Sequence, residues 1–447
     1  MTTTPVEIDL LIESRWIAAV DPDILLKNHA VAVHEGRIIA LMPSSQARQR
    51  FKAQTQTVLD EHILIPGLVN LHTHAAMSLM RGLADDLPLM DWLQNHIWPA
   101  EANHVSHEFV YDGTRLACAE MLRGGITCFN DMYFYPEAAA MAADEMGMRA
   151  MLGITTLEFP TPYANDADDY INKGLAVRER WLNHPRIGFC IAPHAPYTVS
   201  DKTFERVLTL SEQLNMPIHC HIHETIHEVE ESQKIHQARP LERLQKLGLP
   251  GPGFIGVHAV HMSDEELGEC ASNGMHIAHC PTSNLKLASG FSPVAKMQEL
   301  GINIGLGTDG AASNNRLDLF SEMRLAALLA KGLSGDACAL KAGDVLRMAT
   351  LNGANALGLG KEIGSITVGK AADLCAVSLA GINNKPCYDP VSHLIYVSSR
   401  DDVSHVWVNG TCCVDNKTLT ANQGNHLDTA IALWQNSLEV RQAKASV

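Results

Sequence analysis

The sequence has no long apolar run, and its first residues do not predict a secretory leader. No stretch approaches the roughly 18 uninterrupted apolar residues that a membrane-spanning helix needs. Residues 1–10 contain no basic segment leading into an apolar core of about 7 to 15 residues, so no signal peptide is predicted. We therefore expect a cytoplasmic protein that has no membrane partner.

Basic residues and paired cysteines are also scarce. Thirty-four Lys and Arg against 50 Asp and Glu give a formal net charge of -16 over 447 residues. Such a surface repels a phosphate polymer, so a small soluble substrate is expected and nucleic acid is not. The eleven cysteines are odd in number and form no CxxC pair. This pattern argues against a disulfide framework and against a thiolate zinc site.

Short β-rich runs are present at both ends of the chain. Residues 9–17 and 30–41 form two such runs, and the second is broken by a turn signal at Gly36. Residues 366–378 and 403–414 have the same character, with a turn at Asn409-Gly410. The pattern predicts one small β domain assembled from both termini.

Between these ends, apolar strand-like runs alternate with helical stretches such as 108–123 and 203–214. Eight runs can be counted, at residues 64–71, 126–131, 149–155, 187–193, 217–223, 254–258, 276–280 and 303–307. Eight βα units favour an α/β fold, a closed (β/α)8 TIM-like barrel, over the alternative of an open doubly wound sheet. The expected domains are a small β-sandwich (1–62 and 364–425), the barrel (63–363) and a C-terminal helix (426–447).

Polar residues of an unusual kind follow these apolar runs. They are His72 and His74 after the first run, His219, His221 and His223 in the fifth, His258 and His261 in the sixth, and Asp309 after the eighth. Because catalytic groups of such barrels lie at the carboxyl ends of the strands, these side chains are expected to converge. Imidazole and carboxylate ligands suit a divalent ion, so a metal site is predicted.

In its order of motifs the chain resembles the amidohydrolase superfamily, which has HxH on strand one, one His each on strands five and six, and Asp on strand eight. The segments 66–74 (PGLVNLHTH) and 307–315 (GTDGAASNN) look like the branch of cytosine deaminases and chlorohydrolases. Within that branch, the strongest resemblance is to the 5'-methylthioadenosine/S-adenosylhomocysteine deaminases. The resemblance spans nearly the whole chain.

The resemblance implies a role for each matching residue. Metal ligands would be His72, His74, His221 and Asp309. Glu224 would shuttle the proton, and His258 and Asp309 would orient a metal-bound hydroxide that attacks C6 of an aminopurine. His219, His223 and His261 would then be histidines held by ordinary hydrogen bonds. The expected reaction is deamination of 5'-methylthioadenosine, with S-adenosylhomocysteine or adenosine as further substrates, to an inosine product and ammonia.

The resemblance also assigns substrate contacts. Glu101 matches the acid that binds ribose hydroxyls, His194 matches the purine-contacting histidine, and Glu224 contacts the base. Two departures are informative. Residues 190–197 contain no lysine that could bridge two metals, so one ion is expected, zinc first, with iron or manganese as alternatives. Residues 152–170 contain no arginine for an amino-acid carboxylate, which predicts that 5'-methylthioadenosine is preferred.

The sequence leaves three other functions to consider. The same machinery could deaminate or dechlorinate a free base or a triazine, although Glu101 with His194 favours a ribosyl substrate. A metal-free scaffold is disfavoured because every predicted ligand is present. An RNA-editing deaminase is disfavoured because the chain is acidic and has no P-C-x-x-C signature. A homo-oligomer is compatible with the resemblance, but no segment identifies its interface.

Overall fold

The computed structural model describes residues 5–420 and 427–445. The predicted boundary between residues 425 and 426 lies outside these residues. Two compact units take their described residues from within Met1–Asn70, Met121–Cys128 and Asp318–Gln423, and from within Leu71–Glu120, Phe129–Leu317 and Gly424–Val447. No helix of the described ranges is long and apolar enough to cross a membrane.

The strands fall into three groups along the chain. The N-terminal group is β1 (Val6–Ala18), β2 (Leu25–His34), β3 (Arg37–Pro43) and β4 (Phe51–Pro66). The central group is β5 (Leu68–Thr73), β6 (Ile126–Asp131), β7 (Arg149–Thr156), β8 (Ile187–Pro193), β9 (Ile218–Ile222), β10 (Phe254–His258), β11 (His276–His279) and β12 (Asn303–Leu306). The C-terminal group is β13 (Leu374–Ser378), β14 (Val403–Val408), β15 (Thr411–Asp415) and β16 (Thr418–Leu419).

Helices of the described residues lie ahead of, between and after the central strands. They are α1 (Ser44–Arg50), α2 (Leu89–Trp92), α3 (Trp98–His104), α4 (His107–Arg123), α5 (Pro136–Glu145), α6 (Ala167–Arg180), α7 (Asp201–Leu214), α8 (Ile226–His236), α9 (Pro240–Lys246), α10 (Asp264–Asn273), α11 (Pro281–Lys286), α12 (Val294–Glu299), α13 (Leu319–Ser334), α14 (Ala342–Arg347), α15 (Gly353–Ala356), α16 (Pro390–Tyr396) and α17 (Leu427–Ala445). Shorter turns are the π-helical Leu93–Ile97 and Met348–Asn352 and the 3-10 segments Ala75–Met80, Ile382–Asn384 and Arg400–Asp402.

The central strands form the predicted barrel. They are hydrogen-bonded in the order β5 to β12, and the paired registers of β7 to β12 are parallel, as in Val257 opposite His221. The segment that follows the last strand also meets the first strand, because the Asp309 N–H donates to the His72 carbonyl at 3.0 Å. The Thr73 hydroxyl in turn donates to the Asp309 carbonyl at 3.0 Å. The closed barrel is therefore confirmed, and the open doubly wound sheet is wrong.

The first barrel strand starts later than the predicted 64–71. Residues up to Pro66 continue β4 and pair with β13, and β5 begins at Leu68. A Cβ at Gly67 would lie 2.1 Å from Thr127 Oγ1, so only glycine allows the chain to approach this closely between the two strands. One apolar run thus serves two sheets, which periodicity alone does not reveal.

The two ends of the chain build a second sheet, as predicted. Its strand order is β16-β15-β14-β13-β4-β1-β2-β3, with β1 parallel to β4 and the hairpin pairs antiparallel. The turns fall where the sequence places them, at Glu35-Gly36 and Asn409-Gly410, and all four residues have positive φ. The core on one face includes Ile12, Val31, Leu64, Leu374 and Trp407.

Helix α7 shows how local sequence sets a boundary. Ser200 caps the helix by accepting from the Thr203 N–H, and the buried positions Thr203, Phe204 and Val207 have the spacing of one helix face. The helix ends at Asn215, whose φ of 50° lies in the left-handed region that asparagine tolerates. Such βα units place the carboxyl ends of the strands, and the residues that follow them, on one side of the barrel.

Candidate active site

Five predicted residues converge at the carboxyl ends of the barrel strands. His72, His221 and His258 form one group, and His72, His74 and Asp309 form another, with candidate ligand atoms within 4.8 Å of one another in each group. We call these five residues the polar cluster. The Nε2 atoms of His72 and His221 are 3.2 Å apart, and Asp309 Oδ1 is 3.3 Å from Nε2 of both His72 and His74.

The proton arrangement of the imidazoles suits a cation. Nδ1 of His221 donates to the His194 carbonyl at 2.8 Å, and Nδ1 of His74 donates to the Met132 carbonyl at 2.6 Å. Because a carbonyl only accepts, Nδ1 carries a proton in each ring, and Nε2 is the nitrogen directed at the cluster, where a bound cation would take its lone pair. Unprotonated nitrogens directed at one another repel unless a cation lies between them. The donor set therefore fits a divalent ion that takes nitrogen and oxygen ligands.

Hydrogen bonds fix both carboxylate oxygens of Asp309. The hydroxyls of Ser283 and Ser313 donate to Oδ2 at 2.5 and 2.8 Å, and the Gly310 N–H donates to Oδ1 at 2.7 Å. Its backbone lies in the left-handed region at φ 61°. Oδ1 also faces His72 and His74, so the carboxylate is fixed with one oxygen toward the polar cluster.

His258 and Glu224 lie side by side. His258 ends β10 with φ 71°, and its Nδ1 lies 2.8 Å from Asn284 Oδ1, which orients the ring. Its Nε2 is 3.8 Å from Glu224 Oε2. Glu224 is buried, and this burial raises the pKa of its carboxyl above the usual range. A carboxyl with a raised pKa is suited to accepting and then releasing a proton.

The remaining histidines of these strands have partners around the cluster. His219 Nε2 lies 3.0 Å from His72 Nδ1, behind the cluster. His223 Nε2 accepts from the Leu241 N–H at 3.0 Å, and His261 Nε2 lies 2.7 Å from the Ser289 carbonyl. Neither His223 nor His261 belongs to the groups of candidate ligands. This arrangement agrees with the expectation that all three are held by hydrogen bonds.

One cavity joins the polar cluster to a set of apolar side chains. His74, His221, Glu224 and Asp309 line it at the cluster. Large apolar residues line another part, and we call them the apolar wall: Leu89, Trp92, Leu93, Ile97 and Trp98. None of the described residues that line the cavity is Lys or Arg. The cavity is therefore suited to a molecule with a polar reacting group and an uncharged apolar remainder.

Glu101 and His194 line the same cavity, as predicted. Burial raises the pKa of Glu101 to about 7, and the hydrogen bond from the Tyr133 hydroxyl to Oε1, at 2.8 Å, opposes this rise. Burial lowers the pKa of His194 to about 3, so its ring is neutral at physiological pH. Its Nδ1 lies 2.9 Å from the Thr198 hydroxyl.

Sequence reasoning missed Tyr133 and the whole apolar wall. Tyr133 comes two residues after β6, a strand end that contains no histidine and no recognised motif. The wall residues belong to α2, α3 and the π-helical turn Leu93–Ile97, which are too short for a recognisable apolar period. The available signal was the position of Tyr133 beyond a barrel strand.

Comparison with known proteins agrees with this site. A model of the amidohydrolase family matches residues 63–413. A 5-methylthioadenosine/S-adenosylhomocysteine deaminase of Saccharophagus degradans is 46% identical over 436 residues, which cover 97% of this chain and 98% of that protein. A zinc-bound adenosine deaminase structure from Xanthomonas campestris has a TM-score of 0.96 and 46% identity, over 98% of this chain and 100% of that one.

A more distant structure shares the fold alone. The zinc complex of an atrazine chlorohydrolase from Arthrobacter aurescens has a TM-score of 0.88 at 23% identity, covering 96% of this chain and 100% of that chain. From the family match and the polar cluster, the chain is a metal-dependent hydrolase of C–N bonds and belongs to the amidohydrolase family. Within that family it belongs to the 5-methylthioadenosine/S-adenosylhomocysteine deaminases.

Proposed function

We propose that this enzyme hydrolyses the 6-amino group of 5'-methylthioadenosine, giving the corresponding inosine product and ammonia. S-adenosylhomocysteine and adenosine are weaker substrates in this proposal. The observation that carries it is the single cavity that joins the polar cluster, Glu224 and the Glu101–Tyr133 pair. Two relatives, 46% and 43% identical over nearly their full length, are named 5-methylthioadenosine/S-adenosylhomocysteine deaminases, which supports the same reaction class.

In this proposal His72, His74, His221 and Asp309 hold one divalent ion. Zinc is the ion proposed, because a zinc-bound structure shares 46% identity with this chain. Iron and manganese accept the same ligands, and elemental analysis distinguishes the three. When bound, such an ion lowers the pKa of a water from about 15.7 toward 7 and so supplies a nucleophile at neutral pH.

The protein's own residues then handle orientation and protons. Glu224 accepts one proton as the water oxygen adds to C6 and gives it to the ring nitrogen, where the product keeps it. Glu224 then moves the second proton from the C6 hydroxyl to the amino group, so that C6 becomes a carbonyl. The C–N bond breaks as ammonia leaves. His258, held by Asn284, and Asp309, held by two serines, keep the attacking oxygen on course. Both residues act by orienting the attacking oxygen, since hydrogen bonds fix the His258 ring and the Asp309 carboxylate before substrate arrives.

Glu101 and His194 would bind the nucleoside. An ionised carboxylate can accept from both ribose hydroxyls, and the neutral His194 ring can hydrogen-bond the purine. The apolar wall suits a methylthio group, which needs no charged partner. The amino-acid tail of S-adenosylhomocysteine carries a carboxylate, and no described cavity residue is a Lys or Arg that could pair with it. We therefore expect a preference for 5'-methylthioadenosine of about 10- to 100-fold in kcat/KM.

A parallel steady-state assay tests the proposal. Zinc-loaded enzyme is offered 5'-methylthioadenosine, adenosine, S-adenosylhomocysteine, guanine, cytosine and a chlorotriazine. We expect kcat/KM above about 10⁴ M⁻¹s⁻¹ for the first and a loss of at least about 1,000-fold in Glu224→Gln. Glu230→Gln, an exposed position on helix α8, which follows Glu224, is the matched control. Activity on free bases or triazines alone would overturn the nucleoside assignment.

A further inference from the structure

Two helices that follow adjacent barrel strands carry a buried glutamate at the same position. Helix α10 follows β10, with Ser263 as its N-cap and Glu266 as the third residue inside the helix. Ser263 accepts from the Glu266 N–H at 3.2 Å, and Glu266 Oε2 accepts from the Ser263 N–H at 2.8 Å. This reciprocal pair is an ordinary capping box, in which the glutamate bonds back to the N-cap residue of its own helix.

Helix α8, which follows β9, has the same residues in a different arrangement. Thr225 is the N-cap and accepts from the Glu228 N–H at 3.2 Å, as expected. The Glu228 carboxylate, however, bonds to residues ahead of the cap. Oε1 accepts from the His223 N–H at 3.1 Å, and Oε2 accepts from the Glu224 N–H at 2.8 Å. The glutamate therefore anchors the turn that carries the proposed proton-transfer residue.

The backbone of the anchored turn adopts an unfavourable conformation that its surroundings must support. His223 has φ 52°, a left-handed conformation that a histidine adopts only when its surroundings hold it there. Glu228 is 6% exposed, so water does not compete for its oxygens. Each oxygen takes one of two consecutive backbone donors. Glu224 extends from the second of these peptides to within 3.8 Å of His258.

We propose that Glu228 is a positioning residue that holds Glu224 in proton-transfer geometry. The proposal rests on the proposed function of Glu224. Glu228 itself is neither one of the described residues that line the cavity nor a member of the groups of candidate metal ligands, and it acts through the backbone of Glu224. A displacement of about 1 Å in a catalytic group can lower the rate about 100-fold, so the anchor is expected to affect the chemical step rather than substrate binding.

Glu228→Gln is the sharpest test because it preserves size and keeps one accepting oxygen. Its amide nitrogen then faces a backbone N–H, so one of the two bonds is lost. We expect kcat for 5'-methylthioadenosine to fall about 10- to 100-fold while KM changes within about twofold. Zinc content is expected to stay at the wild-type level. Amide hydrogen exchange of the peptide spanning residues 221–228 is expected to become faster.

The matched control is Glu266→Gln, which removes a buried capping glutamate from the equivalent position of α10. Glu266 also pairs with Arg239 at 2.8 Å and lies 3.3 Å from the His223 ring, so this variant costs at least comparable stability. It is expected to lower Tm without the fall in kcat or the faster exchange at 221–228. Measuring kcat per folded, zinc-loaded molecule separates stability from positioning.

Two results would overturn the proposal. One is a Glu228→Gln enzyme with wild-type kcat, and the other is an equal fall of kcat in both glutamine variants. Wild-type enzyme that turns over neither 5'-methylthioadenosine nor the other two adenosine nucleosides would refute the proposed function instead. In that case the exchange experiment still decides the anchor, since unchanged exchange at residues 221–228 in Glu228→Gln would contradict it.

Discussion

The polar cluster and the apolar wall line the same cavity but have different structural origins. Each cluster residue lies in a barrel strand or within three residues after one, and all five have further partners on the atoms that face away. The wall comes from α2, α3 and a π-helical turn between β5 and α4. Reaction chemistry is thus placed on the rigid sheet, whereas the remainder of the substrate meets a connecting segment.

The comparison implies that changes in the two regions separate metal retention from substrate preference. A cluster variant should lose the ion and all activities together. A variant near the apolar wall should keep the ion and change only the kcat/KM values for nucleosides. Three substitutions test this separation, and the expected effects decrease in the order given.

His221→Ala is expected to have the largest effect. It removes an imidazole whose Nδ1 is already committed to the His194 carbonyl, so the cluster loses a ligand that is fixed in place. Zinc retention in competition with a chelator should weaken by more than about 100-fold, and turnover of every substrate should disappear. His227→Ala, an exposed histidine of α8, is the control and should retain zinc. Full zinc content in His221→Ala would contradict the ligand assignment.

Glu101→Ala is expected to act on nucleosides only. Two charge-assisted hydrogen bonds to ribose are lost, so kcat/KM for 5'-methylthioadenosine should fall about 100-fold. Zinc content should be unchanged, and so should whatever turnover of free adenine, which has no ribose, the wild-type enzyme shows. Glu108→Ala, an exposed position on the next helix, serves as the control. An equal loss on adenine and on the nucleoside would place Glu101 in the chemical step instead.

Much of the polar cluster could be predicted from sequence because each member follows an apolar strand run. The strands that contain or precede His72, His258 and Asp309 end within two residues of the predicted ends. The run at 64–71 was misjudged because Pro66 and Leu68 are equally apolar although they belong to different sheets. Only the close contact at Gly67 separates the sheets, and that contact depends on Thr127, about 60 residues away.

The apolar wall could not be predicted for a related reason. Its helices contain four to seven residues, so no apolar stripe repeats, and their position is set by tertiary packing. Glu101 was found only by resemblance, and Tyr133 was not found at all. Glu228 is likewise invisible to pattern reasoning, because a glutamate three residues after a threonine reads as an ordinary capping box. Its two bonds to residues ahead of the cap appear only in the folded chain.

Tyr133→Phe is expected to have the smallest effect and gives the finest test of the comparison. The Tyr133 hydroxyl donates to Glu101 Oε1 and lowers the pKa of that carboxyl, against the burial that raises it to about 7. Since only the ionised carboxylate accepts both ribose hydroxyls, kcat/KM for nucleosides should decline as pH falls through this value. Losing the hydroxyl moves the pKa of Glu101 further upward, so the acid limb should shift to higher pH. Near pH 7 the expected loss is about fivefold.

The control for this shift is Tyr135→Phe, whose hydroxyl donates to the Pro162 carbonyl at 2.9 Å, away from Glu101. Its pH profile should match the wild type. His74 also faces Glu101 and favours the ionised carboxylate, so the profile must be recorded on zinc-loaded enzyme. In Glu101→Gln the acid limb that belongs to this carboxyl should be absent. A Tyr133→Phe limb that moves to lower pH, or one that persists unchanged in Glu101→Gln, would show that another group controls nucleoside binding.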